Sequence, residues 1–221
     1  MARMARMVVP GYPHHITQRG NRRQKTFFCE DDYQTYIELM SEWTARCGVE
    51  IWAYCLIPNH IHLIAVPQSE DDLRWAIGEA HRRYTRHINF QKNWRGHLWQ
   101  GRFASNVMDE SYLIAAARYI ELNPVRAGLV TKPTEYRWSS AKAHCAGLDD
   151  KLVKAKPLLD LVDNWQTLLD SAMSDKEIKA LRMHERTGRP LGDETFVKRL
   201  ERKLGKILVP QKAGRPKKQI N

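Results

Sequence analysis

Residues 56–67 read LIPNHIHLIAVP, an apolar run in which His60 and His62 stand one isoleucine apart. In an extended chain residues i and i+2 project to one side, so the two imidazoles share a face and Ile61 takes the other. Two neutral ring nitrogens at that separation can share a divalent ion; they can equally line a cleft as a hydrogen-bonded pair. A third ligand has to come from another element. The best source is ARYIELNPVRAG, where Tyr119 and Asn123 are four apart and fall on one helix face. The amide oxygen of Asn123 would complete an N,N,O set that suits Mg²⁺ or Mn²⁺ with open positions better than the closed site of structural zinc. On the same face, the phenol of Tyr119 is placed to attack a metal-bound phosphodiester. Each residue has a plainer use, since a tyrosine on an apolar helix can simply pack and an asparagine before proline can simply end a helix.

The elements that must carry these side chains follow from pattern. HHITQRG (14–20) predicts a first strand ending at Gly20-Asn21. EDDYQTYIELMSEWTARCG opens with acids, spaces Tyr33, Tyr36, Ile37, Met40 and Trp43 at helical intervals, and stops at Gly48. VEIWAYCLIP and HIHLIAVP are two strand-like runs interrupted by Pro58-Asn59, which predicts a hairpin. Residues 71–93 return to helical spacing, with Leu73, Ile77, His81, Tyr84 and Ile88 on one face. LWQGRFASNVMD then predicts a fourth strand, and ESYLIAAARYIELNPVRAG a helix that Pro124 ends. The order β-α-β-β-α-β-α is the split βαβ arrangement: an α+β, ferredoxin-like fold with an antiparallel sheet, helices on one face and one extra helix.

Beyond Gly128 the pattern weakens. PTEYRWSSAKAHCAG reads as an ordered connection whose Tyr136 and Trp138 dock on the body, and residues 157–187 are helical and amphipathic. GRPLGDETFVKRLERKLGK supplies a Gly-Pro turn, a helix cap at Asp193 and a basic helix. The last stretch, VPQKAGRPKKQIN, is too rich in Pro, Gly and Lys to order alone. Two parts are expected: a first domain over 1–145, and a helical basic region over 146–221 with a flexible tail, helix-turn-helix-like and suited to binding DNA.

Charge narrows the partners. The 221 residues carry 36 Lys and Arg against 25 Asp and Glu, a net charge of +11. Residues 1–28 hold six basic and no acidic residues, and residues 182–221 hold twelve basic and four acidic, so the middle is net acidic. Two basic arms around a near-neutral body suit a polyanion. No apolar stretch approaches the roughly 20 residues of a membrane span, and MARMARMVVPGYP lacks the apolar core of a signal peptide. Four cysteines without a CxxC pair argue against zinc knuckles and a disulfide framework, and so for a reducing cytoplasm, in contact with the nucleoid.

Taken together and in order, PHHITQRGN, PNHIHLIAVP (58–67), WQGRFASNVMD and RYIELNPVRAGLV (118–130) resemble the HUH single-tyrosine transposases, and within them the REP-associated tyrosine transposases. The resemblance covers roughly residues 10–140. It implies a metal-dependent single-stranded DNA endonuclease and strand transferase that cleaves near hairpins of the REP type. Carried over, His60, His62 and Asn123 would hold Mg²⁺ or Mn²⁺, and Tyr119 would form a 5′-phosphotyrosine. No nucleotide cofactor is implied, and a monomer acting in cis is favoured over a dimer. Phosphate or hairpin contacts are expected from Arg19, Arg22 and Arg23 after the first strand, from Arg82, Arg83 and Arg86 on the second helix, and from Gln100 and Arg102. Arg126 lies nearest the proposed site; Lys198, Arg199 and Arg202 line the basic helix, and the second Gly-Arg-Pro resembles a minor-groove hook. Trp99 or Phe103 could stack on a base. The sequence offers no residue to help Tyr119 ionise. Two other readings stand beside this one. A histidine-triad hydrolase would need a histidine at position 64, which is Ile64. A hairpin-DNA-binding regulator derived from a transposase would bind without cutting.

Overall fold

The computed structural model describes residues 6–209. Strands β1 (His14–Arg19), β2 (Glu50–Ile57), β3 (His60–Val66) and β4 (Ala104–Val107) form one sheet in the order β2-β3-β1-β4, with every neighbouring pair antiparallel. Helix α1 (Glu30–Arg46) connects β1 to β2, and α2 (Asp72–Lys92) connects β3 to β4. This is the ferredoxin-like order that the sequence predicts. The Asp32 carboxylate accepts hydrogen bonds from the Phe28 and Cys29 amides and so satisfies the amino end of α1. Asn93, in the left-handed region at φ 53°, closes α2.

Strand register decides which side chains meet. Arg19 pairs with His60, Thr17 with His62 and His15 with Ile64. Directly paired residues share a face, so His15, Thr17, Arg19, His60 and His62 all project to the same side. The opposite face carries Ile16, Ile61 and Leu63, fully buried in one core with Tyr36 and Met40 of α1 and Ile77 and Tyr84 of α2. Each such aliphatic side chain contributes about 1.5–3 kcal/mol on leaving water.

The fourth strand is shorter than the run predicts. Gly101 sits at φ +67°, outside strand geometry, so residues 98–103 loop out and pairing with the β1 end shrinks to a bridge between Gly20 and Trp99. Gly20 itself has no room for a side chain, since a Cβ would lie 2.2 Å from the Gln24 carbonyl oxygen. Helix α3 (Glu110–Glu121) starts under the Asp109 carboxylate, which accepts from the Tyr112 amide at 2.9 Å. The extra helix predicted to stop at Pro124 breaks slightly earlier, and Asn123–Arg126 forms a one-turn α4 with proline in its first turn, where a missing amide hydrogen costs nothing.

Past Gly128, Tyr136 and Trp138 are buried as expected: the Tyr136 hydroxyl donates to the Leu56 carbonyl at 2.7 Å and the Leu56 amide donates to the Trp138 carbonyl at 2.9 Å. The helices that follow are α5 (Ala141–Ala146), α6 (Lys156–Leu159), α7 (Trp165–Asp170), α8 (Asp175–Thr187) and α9 (Glu194–Leu204). The helical character expected over 157–187 is divided among three of these helices, α6, α7 and α8. Val153, Leu158, Trp165, Leu169, Leu181 and Leu191 all join the core of the sheet. Asp193 caps α9 by accepting from the Phe196 amide at 2.6 Å, and Phe196 and Leu200 pack on Val9 and Val107. Among the described residues no helix is long and apolar enough to cross a membrane. The second Gly-Arg-Pro and nearly all of the expected flexible tail lie outside the described residues.

Candidate active site on the histidine face

Helix α3 lays Tyr119 over the histidine face of the sheet. Its ring centroid is 5.8 Å from that of His62 and 6.4 Å from that of His15, edge-on to both. The His60 and His62 rings are 5.1 Å apart. The Asn59 side-chain oxygen accepts from His60 Nδ1 at 2.6 Å, which fixes the tautomer and leaves the Nε2 lone pair free. Burial, assisted by Arg19 and Arg126, pulls His60 down to about 4, and burial holds His62 well below the usual imidazole range. Both rings are therefore neutral at physiological pH, the form that can ligate a metal. Asn123 is buried and opens α4 one turn beyond Tyr119.

Two partners come from places that local sequence pattern does not mark. His15 Nε2 is 3.0 Å from His62 Nδ1, and Glu185 Oε1, from α8, is 3.7 Å from both nitrogens. His15 stands within HHITQRG, where its strand parity is readable; its pairing opposite the hairpin is not. His81 is buried against Tyr36, whose hydroxyl lies 2.9 Å from its Nε2, and His97 is exposed. His14, on the opposite parity, accepts from the Val9 amide and donates to the Tyr12 carbonyl, which anchors the segment leading into β1.

Arg126 lies over the tyrosine, with its guanidinium carbon 3.8 Å from the ring centroid. It is thus placed to attend negative charge developing on the phenol or on a phosphate. The basic residues proposed to hold DNA fall into separate places. Arg19 ends β1 and Arg22 and Arg23 lie on the turn after it; the Asn21 amide donates to the Leu98 carbonyl and the Gln100 amide to the Arg19 carbonyl. That turn therefore stands beside exposed Gln100 and Arg102, and next to His60 through its pairing with Arg19. On α2, exposed Arg82 is chelated by Glu79 at 2.6 Å, Arg83 lies over the Trp43 ring and Arg86 is exposed. Lys198, Arg199 and Arg202 are exposed on α9, near the opposite ends of β1 and β4. Trp99 and Phe103 do not offer free faces to a base. Both are buried, Trp99 stacked on His81 and Phe103 beneath Arg6, because the loop at Gly101 turns their rings inward.

A buried carboxyl group holds the tyrosine's helix in place. Glu121 accepts from Ser140 Oγ at 2.5 Å, His144 Nδ1 at 2.6 Å and Trp165 Nε1 at 2.7 Å, tying the end of α3 to α5 and α7. Arg118 adds a bridge to Glu177 of α8 at 2.9 Å.

Comparisons with known proteins bear on the family and the fold. Residues 9–123 match the family model described as "Transposase IS200 like". A protein of Haemophilus influenzae named "Putative REP-associated tyrosine transposase" is 30% identical over 134 residues, which span 52% of this chain and 76% of that one. Among solved structures, a REP-associated tyrosine transposase bound to a REP hairpin superposes with a TM-score of 0.58 at 23% identity, covering 70% of this chain and 92% of that chain. The chain belongs to the IS200-like transposase family, in its REP-associated tyrosine branch.

Proposed function

We propose that this protein cuts and rejoins single-stranded DNA beside a hairpin, with Tyr119 as the nucleophile. The observation that carries the reading is the meeting of Tyr119, His62 and Arg126 within one chain: 5.8 Å between the two rings and 3.8 Å from guanidinium to phenol. The Tyr119 oxygen attacks phosphorus in line, the bond to the 3′ oxygen breaks, and that oxygen takes up a proton. The products are a 5′-phosphotyrosine and a free 3′-hydroxyl. Because the phosphodiester energy is kept, attack by a second 3′-hydroxyl rejoins DNA without a nucleotide cofactor.

His60, His62 and Asn123 are the residues proposed to hold Mg²⁺ or Mn²⁺, and the neutral, oriented imidazoles fit that role. Such an ion would act as a Lewis acid on the scissile phosphate and would offset its growing negative charge. Arg126 supports the same charge from the chain's own side chains. The turn at Arg19, Arg22 and Arg23 with Gln100 and Arg102 would hold phosphates of the incoming strand, beside His60. The nearness of Tyr119 to histidines of its own chain favours a monomer acting in cis.

The alternative is a hairpin binder that does not cut. Hairpin oligonucleotides labelled at either end, incubated with protein and Mn²⁺, separate the two. The proposal expects a denaturation-resistant adduct carrying the 3′-end label, absent in Tyr119→Phe. A retained hairpin complex with no adduct would mark a binder.

A further inference from the structure

We infer that Trp94 is a stacking platform for an unpaired nucleobase, on a loop that takes the bases of a single DNA strand whose phosphates lie on the Arg22–Arg23 turn. The inference rests on the proposed function only for DNA as the ligand. Two segments free of acidic residues, 6–29 and 80–108, are laid side by side by the fold. The Asn21 amide donates to the Leu98 carbonyl at 2.8 Å, and the Tyr84 hydroxyl donates to the Thr26 carbonyl at 2.7 Å. The Phe28 and Trp94 rings meet edge-on with centroids 5.6 Å apart, and Lys92 Nζ lies 4.6 Å over the Phe28 ring. Residues 93–98 therefore run along residues 21–28, which sets Lys92 and Arg95 beside Arg22, Arg23 and Lys25.

Charge separates this face from the other basic surfaces. Arg82 and Arg83 answer to Glu79 and Lys198 to Glu194, whereas exposed Arg22, Arg23, Lys25 and Arg95 have no carboxylate partner among the described residues. The first acid beyond the segment, Glu30, is taken up by Arg137 at 2.8 Å. Arg22 and Arg23 also hold left-handed φ values of 52° and 63°, a region that favours glycine; such strain persists where the surroundings impose it and collects at ligand sites. Here the Asn59 side-chain nitrogen donates to the Arg23 carbonyl at 3.2 Å while its oxygen accepts from His60, so the turn is anchored to the candidate active site. Trp94 remains 42% exposed although its place is fixed. Its amide donates to the Asn89 carbonyl at 2.9 Å, and the Asn89 side chain donates to the Gly96 carbonyl at 3.0 Å. An indole held in position, partly open to solvent and flanked by unpaired cations combines the two things a single strand needs: a π-face for a base and positive charge for its phosphates.

Binding is measured by fluorescence anisotropy in EDTA, so that no cleavage is needed, on a DNA hairpin with an unpaired oligothymidine flank and on the same hairpin with an abasic flank. Trp94→Ala is expected to weaken binding of the base-bearing probe about tenfold or more, and Trp94→Phe to recover most of that loss. On the abasic probe, wild type and Trp94→Ala should bind alike. The salt slope should stay the same in Trp94→Ala, because no phosphate contact is removed. Trp75, 51% exposed at the other end of α2, serves as the control, and Trp75→Ala should bind both probes as wild type does. Equal affinity of wild type and Trp94→Ala for the base-bearing probe, an equal loss on both probes, or a matching loss in Trp75→Ala would overturn the inference. Binding that depends on Trp94 with no tyrosine adduct in Mn²⁺ would defeat the cutting proposal and leave this one standing; adduct formation with binding indifferent to Trp94 would do the reverse.

Discussion

Replacing Glu121 by alanine should loosen the helix that presents Tyr119. Its carboxyl group is fully buried and takes hydrogen bonds from Ser140, His144 and Trp165, at 2.5, 2.6 and 2.7 Å. Alanine leaves the buried His144 and Trp165 donors with no acceptor, each worth about 1–3 kcal/mol when orphaned, and takes from Ser140 its shorter bond while the Tyr54 carbonyl stays at 3.3 Å; it also removes the burial cost of the acid itself. The net loss should be about 3–5 kcal/mol, a large share of the roughly 5–15 kcal/mol that holds a domain together. Glu121→Gln keeps one acceptor but turns an amide donor toward the others, and should cost about half as much. Urea unfolding followed by tryptophan fluorescence measures both. A loss below about 1 kcal/mol for Glu121→Ala would refute the view that this carboxyl group clamps α3 to α5 and α7.

Other outcomes follow from the same coordinates. Arg126→Ala should slow adduct formation about 10–100-fold with little change in stability, and Arg126→Lys should fall between, since an ammonium keeps the charge but not the flat face over Tyr119. Equal rates in all three proteins would remove Arg126 from the chemistry. Burial holds His81 down to about 3 and His14 to about 4, so the unfolded chain takes up protons that the folded chain refuses as pH falls below about 6.5. Glu185, raised to about 7, works in the opposite sense and stabilises the folded chain as pH falls through that value. The histidines outnumber it, so urea midpoints should drop between pH 6.5 and 5 by an amount equal to at least about 2 kcal/mol; a flat profile would contradict the buried neutral rings. Hairpin affinity in Arg22→Ala/Arg23→Ala should show a salt slope shallower by about 0.7 for each phosphate no longer neutralised, and an unchanged slope would place the DNA elsewhere.

Local pattern carries a reading of this sequence a long way. Alternation puts His60 and His62 on one face, helical spacing finds α1, α2 and α3, and the cap at Asp193 needs only its own neighbourhood. What stays hidden depends on register and on distant packing. His15 joins His62 because β1 lies antiparallel beside β3 with Thr17 opposite His62, a pairing that no local spacing encodes. Glu185 arrives from a helix that the sequence assigns to a separate basic region, and nothing around it in sequence marks it as different from other acids on an amphipathic helix. Trp99 and Phe103 mislead in the other direction, since the fold of the loop at Gly101, rather than residue type, sends their rings into the core.

The central claim is a covalent bond between DNA and one phenolic oxygen. Mass spectrometry of proteolysed protein, taken after reaction with a hairpin oligonucleotide and nuclease trimming, tests it most directly. The expected result is a nucleotide attached through its 5′-phosphate to the peptide containing Tyr119. Attachment to Tyr112, Tyr136 or any other residue, or cleaved DNA with no modified peptide, would contradict it.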